Sequence, residues 1–251
     1  MRDPSASLTP QSALHHVSTR SLLGMSLCVL ALSSAPAEHS SAAPDPDGTP
    51  QTEAHIYHQK EGNAPPTRFH WVRVDTGKRV RVTSDAPSEH FTNVLMPDGR
   101  TLEWHVRRKD TAILAKRVGE VIRVTGRWKG KPIDRKHKID RSPWYQPLSY
   151  SLRKQLDEDW TSSTFWMMRP DILEPVELKA RADGEEIIAV GGRDIRCRRI
   201  MVQGTGMTGR LWHCLYWFRK RDGLFVRYSG LFGVPGLPKT YIELLEEAVA
   251  E

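Results

Sequence analysis

Three features are scarce in this sequence, and each absence narrows what it can be. Cysteine occurs only three times in 251 residues, with no CxxC pair or spaced histidine pair nearby, so a zinc site has no ligand set. Long apolar runs are missing too. The one extended run, Leu22 to Leu32, falls short of the roughly 20 residues that span a bilayer. Catalytic signatures are also absent: there is no HExxH or GxSxG, and "GTGMTG" (204–209) lacks the lysine and the strand-to-helix setting of a phosphate loop. His55 and His58 stand three apart in a segment that reads as strand, where that spacing puts them on opposite faces. Glu185-Glu186 and Asp157-Glu158-Asp159 read as turn or surface carboxylates, and His213, between Trp212 and Cys214, as a strand residue. No enzyme activity, cofactor or metal is expected, because function has to be argued from a site and none emerges.

The N-terminus carries the grammar of export. Arg20 precedes the Leu22 to Leu32 run, and the small-residue site Ala35-Pro36-Ala37 follows it. Residues 1–37 are therefore read as a signal peptide cleaved near Ala37, with a soluble periplasmic product; a start at Met25 would remove most of that signal. Cys28 lies inside the apolar run, so there is no lipid-anchor cysteine after it. Residues 38–53 are rich in Ser, Ala, Pro, Asp and Gly and read as a disordered tether. Residues 54–251 fit a single β-rich domain.

Within that domain, β-branched and aromatic runs alternate with turn dipeptides: Thr76-Gly77, Asp98-Gly99, Lys129-Gly130, Asp183-Gly184, Gly191-Gly192 and Asp222-Gly223. This predicts a run of antiparallel hairpins. In "RVRVTS" and "TLEWHVRR" apolar residues alternate with charged ones, so one face packs and the other is wet. The pattern breaks between 141 and 173, where Leu148, Leu152 and Leu156 behind Pro147 predict a short inserted helix over about 147–157. The last segment, "KTYIELLEEAVAE", reads equally as strand or helix.

Cleavage would remove Cys28 and leave Cys197 and Cys214, an even count in an oxidising compartment. With a two-residue turn at Thr205-Gly206, antiparallel partners sum to 411, as do 197 and 214, which predicts a cross-strand disulfide. The other reading makes them small buried hydrophobes. Register is the weak point: a bulge at the consecutive arginines Arg198 and Arg199 would slip the pairing by one residue and put the sulfurs on opposite faces.

The elements "SPWYQPL", "TFWMMRPDI", "ELKARADGEEIIAVGGRDIRCRRIMV" and "YWFRKRDGLFVRYSG" resemble a family of secreted bacterial proteins of unknown function, over roughly residues 55–248. Such proteins resemble the curved half-barrel of periplasmic lipoprotein carriers and mycobacterial lipid-binding lipoproteins. The resemblance implies a concave apolar cavity and supplies no catalytic residue. Together these readings predict a mainly β fold, a single curved antiparallel sheet or half-barrel with one short inserted helix.

Trp144, Tyr145, Trp160, Phe165, Trp166, Met167 and Met168 cluster around the insertion. They are the candidate lining of a site for a lipid or other apolar ligand; packed helix-to-sheet core is the other account of them. Without residues 1–37 the chain keeps 35 Lys and Arg against 29 Asp and Glu, with clusters at 135–138, 196–199 and 218–221. Solvated strand faces account for most of these, and an anionic membrane surface is a candidate partner. Export argues against nucleic acid, and a monomer is expected. The leading expectation is a periplasmic binding protein for a lipid or apolar molecule; the alternative is an envelope structural or interaction protein with a filled β core.

Overall fold

The structure, a computed structural model, describes residues 50–206, 213–231 and 238–248. The expected signal segment and most of the tether lie outside the described residues. Fourteen strands follow one another: β1 (Gln51–Glu61), β2 (Thr67–Asp75), β3 (Val80–Ala86), β4 (Glu89–Leu95), β5 (Thr101–Arg108), β6 (Thr111–Val118), β7 (Val121–Trp128), β8 (Lys131–Lys138), β9 (Ser162–Arg169), β10 (Glu174–Val190), β11 (Arg193–Gly204), β12 (His213–Arg219), β13 (Phe225–Leu231) and β14 (Lys239–Ala248). Helix α1 (Leu148–Ser151) and a 3₁₀ turn (Arg153–Gln155) lie between β8 and β9.

All fourteen form one antiparallel sheet in the order β8-β7-β6-β5-β4-β3-β2-β1-β14-β13-β12-β11-β10-β9. Every neighbour is a sequence neighbour except β1 and β14, which join two meanders at the middle. The sheet is not closed into a barrel, and β8 and β9 are its edges. It curls enough for those edges to approach: Arg135 on β8 donates to the carbonyl of Ile172 beyond β9 at 3.2 Å. Met168 and Leu173, at the β9 end, share a core cluster with Ile113, Ile122 and Val124 of β6 and β7. The mainly β half-barrel reading therefore holds.

Several local expectations shift. β1 begins at Gln51, inside the segment read as tether. The terminal segment is a strand, because β1 and β13 offer it two rows of backbone partners, and that pairing overrides the helix propensity of its Glu and Leu residues. The insertion holds a four-residue helix and a 3₁₀ turn in place of a helix over 147–157. Pro147 gives no side-chain cap, and so short a helix has little cooperativity of its own; burial of Leu148, Tyr150 and Leu152 holds it in place.

Asp183-Gly184 is no hairpin turn. β10 runs through it as a bulge, with a register shift against β11 between Ala182 and Glu185 and a φ of +97° at Gly184, a conformation glycine adopts without penalty. The bulge bends the 17-residue strand so that its second half lies over β12 to β14. Trp217 Nε1 donates to Glu186 Oε1 there, and Arg227 Nη2 donates to the Ala189 carbonyl at 2.5 Å.

The predicted disulfide does not form. β11 and β12 pair with Val202 opposite Cys214 and Cys197 opposite Arg219, a partner sum of 416. Their pairing ends at Gln203 and His213, so the connection is longer than a two-residue turn at Thr205-Gly206, and residues 207–212 lie outside the described residues. The slip of five puts the cysteines about 17 Å apart along the strands. Because five is odd, they also face opposite sides of the sheet. Both are free and buried, and burial pushes their thiols up, to about 11 for Cys197 and about 12 for Cys214.

Candidate functional site

β8 and β9 are opposite edges of the sheet, so residues 139–161 must carry the chain from one to the other. They do so as a strap across one end of the curl. Ile139 N donates to the Glu120 carbonyl at 2.9 Å, and Thr101 N donates to that of Trp144 at 2.8 Å. Ser151 Oγ donates to the Gly99 carbonyl at 2.7 Å. Beyond the 3₁₀ turn, Arg198 Nη1 donates to the carbonyls of Leu156 and Asp157 at 3.0 and 2.8 Å. Along its course the strap also covers the exposed edge of β9. Tyr145 N donates to the Trp166 carbonyl at 2.9 Å, and Trp166 N to that of Pro143 at 2.8 Å. The Gln146 side chain completes the pairing, accepting from Met168 N and donating to its carbonyl, each at 2.9 Å. Backbone groups that would template another chain are thereby satisfied.

The seven residues expected to line an apolar site are brought together by this strap, as core. Trp144, Phe165 and Met168 are 0 % exposed and Tyr145 is 4 %. Trp160, Trp166 and Met167 are half-buried and pack against them. Trp144 Nε1 donates to Gln146 Oε1 at 3.0 Å and Trp166 Nε1 to Asp140 Oδ1 at 2.7 Å, whereas Trp160 Nε1 is buried with no hydrogen-bond partner among the described residues. Two concavities lie elsewhere. One of about 360 Å³ is lined by Met96, Arg100, Leu102, Arg117 and Pro143. The other, of about 250 Å³, is on the β5 to β7 face, lined by His105, Arg107, Ala112, Leu114 and Gly126.

The strap also completes a half-buried ion network whose members no sequence pattern connects: Glu53, His55, Arg73, Arg153, Arg219, Asp222 and Glu247. Arg153 Nη1 meets both Glu53 oxygens at 2.8 and 2.9 Å, and its Nη2 donates to the Asp222 carbonyl at 3.0 Å. Arg73 Nε is 3.0 Å from Glu53 Oε2, and His55 Nε2 is 2.8 Å from Oε1. Arg219 holds Asp222 at 2.7 Å and Glu247 at 2.5 Å. Burial alone would raise the Glu53 pKa, but the His55 hydrogen bond and the charges of Arg153 and Arg73 outweigh it and hold the carboxyl at about 2. Burial would likewise depress Arg219, yet its hydrogen bonds to Glu247 and Asp222 raise it above the usual arginine range.

This is the chemistry of a clamp. Each charge is neutralised by a neighbour, so what the network fixes is the position of the strap against β1, β2 and the β12–β13 turn. Pairing in the sheet puts His55 opposite Trp71 on β2 and Glu247 on β14, and its ring stacks on Trp71 at 5.6 Å. His58 is on the other face, its ring 6.3 Å from that of Tyr241, as the strand spacing required. Among the described residues no group of three or more His, Cys, Asp or Glu side chains is placed to hold a metal ion.

No protein-family model matches the sequence, and no curated protein matches it. Among solved structures, a β-barrel-like protein of a domain of unknown function, DUF1849, from Brucella abortus is similar at 11 % identity and a TM-score of 0.51, covering 80 % of this chain and 98 % of its own. The hypothetical lipoprotein YmcC from Escherichia coli aligns at 13 % identity and a TM-score of 0.34, covering 82 % of this chain and 92 % of its own. The first likeness supports a β-rich, barrel-like fold shared with a protein of unknown function. Kinship with the periplasmic lipoprotein carriers draws no support from either.

Proposed function

We propose that this chain is a non-catalytic protein of the cell envelope that acts through its surface, its β interior being filled and carrying no ligand. The supporting observation is the fate of Trp144, Tyr145, Phe165 and Met168. The side chains that a lipid site would need as walls are at most 4 % exposed and pack against one another and the sheet, so an acyl chain would have to displace them. The envelope location rests on the leader, in which Arg20, the Leu22 to Leu32 run and Ala35-Pro36-Ala37 follow the order of an export signal.

Native mass spectrometry of the purified protein, after incubation with a total lipid extract and gel filtration, tests the reading. The expected spectrum shows the bare chain as a monomer. A stoichiometric lipid adduct would restore the apolar-ligand reading and overturn this one.

A further inference from the structure

Charge is spread very unevenly over the sheet. Residues 101–138, which form β5 to β8, hold twelve Lys and Arg against four Asp and Glu. Their net charge of +8 exceeds the +7 of the whole chain. The strands run antiparallel, so the β5–β6 and β7–β8 turns meet at the end of the sheet away from the strap. They are tied together there: Gly130 N donates to the Asp110 carbonyl at 2.7 Å, and Lys129 N to Thr111 Oγ1 at 3.1 Å.

That joined tip gathers Arg107, Arg108, Lys109, Arg127, Lys129 and Lys131. Arg108 is paired with Glu89 at 2.8 Å, and Lys129 Nζ sits 4.5 Å from the centre of the Trp128 ring. Arg107, Lys109, Arg127 and Lys131 are exposed and have no ion pair among the described residues. The acids of this end besides Glu89 are Asp85, 3.3 Å from His90 Nδ1 in the row that continues through Arg107, Asp110, which accepts from Thr111 Oγ1 at 3.2 Å, and Asp171, which is bound to Arg169 at 2.6 Å. On the outer face, Arg107 and Arg127 both stand opposite Ala112, one on each side, and so are about 10 Å apart across two strand spacings. Beside Ala112 lies the concavity of about 250 Å³, walled by Arg107, His105, Leu114 and Gly126, and Arg127 follows Gly126 in the chain. Two guanidinium groups on either side of one small side chain can share one phosphate.

We propose that the β5–β8 tip is a docking surface for the anionic phospholipid headgroups of a bilayer, with a lipid phosphate seated over Ala112 between Arg107 and Arg127. The proposal rests on the surface-acting reading above and names its partner. Charge complementarity selects the occupant: a compact cluster of unpaired cations at one end of a sheet attracts a negatively charged membrane, and each basic residue contributes about fivefold to partitioning. The rest of the sequence sums to −1, so the field orients the sheet with this end toward the membrane.

Co-sedimentation of the chain from Glu38 onward, whose fold starts at Gln51, tests this with two vesicle types. One is phosphatidylcholine alone, and the other contains one part in three phosphatidylglycerol. Binding is expected only to the anionic vesicles, and it should weaken as ionic strength rises from about 0.01 M to about 0.15 M. The variant K109E/R127E/K131E should bind at least about 100-fold more weakly. K78E/R81E/R193E, with the same change in net charge at exposed positions elsewhere, should keep most of the affinity. Circular dichroism of both variants checks that they fold. Equal binding to both vesicle types, equal losses in the two variants, or binding to duplex DNA without binding to vesicles would each overturn the proposal. A lipid adduct in native mass spectrometry that survives in K109E/R127E/K131E would instead sink the filled-interior reading and leave docking to be judged by the vesicles alone.

Discussion

β5 to β8 and β12 are strands of the same sheet, yet their sequences obey different rules. In β6, the buried Thr111, Ile113 and Ala115 alternate with the exposed or half-buried Ala112, Leu114 and Lys116, as expected of strands with one wet face. In β12, Trp217, Phe218 and Arg219 are buried one after another. The second face there is covered by the bent half of β10, and its end is covered by the network around Arg219. What differs is the cover and not the strand. A covered strand has no position free for an unpaired charge, so its arginine must be fully partnered, whereas the uncovered arm can carry a net charge of +8 in 38 residues.

Trp144→Ala should have the largest effect on this comparison, because Trp144 anchors the strap to both β5 and β9. Stability should fall by about 3–5 kcal/mol, read as the urea midpoint. A loss below about 1 kcal/mol would mean that the arm and the covered half stand independently. Glu53→Ala comes next. It leaves Arg73 and Arg153 without their carboxylate in a partly buried site, at a cost of about 3–5 kcal/mol. Asp134→Ala, which breaks the exposed Arg123 pair on the arm, should leave the midpoint unchanged. Similar losses in the two variants would erase the distinction between covered and uncovered halves.

Acid sharpens the same contrast. The Glu53 carboxyl ordinarily titrates at 4.5 and is held at about 2 in the fold, so the unfolded chain binds its proton first as pH falls. The stabilisation is complete above about pH 5 and is lost between there and pH 2, on the order of 3 kcal/mol in total. Glu53→Gln should flatten that part of the stability curve, and an unchanged slope would show that other carboxylates carry the acid sensitivity. Gly230→Ala tests cover on β13: a Cβ there would fall on that of Cys214, which should cost about 1–3 kcal/mol by overpacking. The smallest expected effect concerns Cys197 and Cys214. Both should resist a thiol reagent in the native protein and react fully in denaturant without prior reduction. Protection that persists in denaturant would require a bond that the pairing of β11 and β12 does not allow.

The hairpins were legible because their turns are written in residues next to each other, as at Thr76-Gly77 and Lys129-Gly130. Asp183-Gly184 uses the same chemistry for a bulge, and what distinguishes the two is pairing with β11, which the dipeptide does not encode. The cysteine register failed for a related reason. "GTGMTG" offers more than one centre for a connection, and a slip of a few residues keeps both strands apolar because β12 is buried on both faces. The ring of aromatics was visible as a cluster, but whether it encloses space or fills it depends on side-chain packing across the whole curl. The clamp was invisible: its charges come from positions 53 to 247 and meet only after β14 has paired with β1.

That last pairing has a consequence for how the chain reaches its fold. All other neighbours in the sheet are neighbours in sequence, so β1 to β8 and β9 to β14 can each assemble by short loop closures. Contact between β1 and β14 closes a separation of nearly the whole domain, from Ala54 to Ala248, and non-local closures of this kind are slow. The central seam of the sheet therefore cannot form until residue 248 is free to reach residue 54. Up to that moment the unpaired edges of β1 and β14 are the surfaces on which a partly folded chain would aggregate.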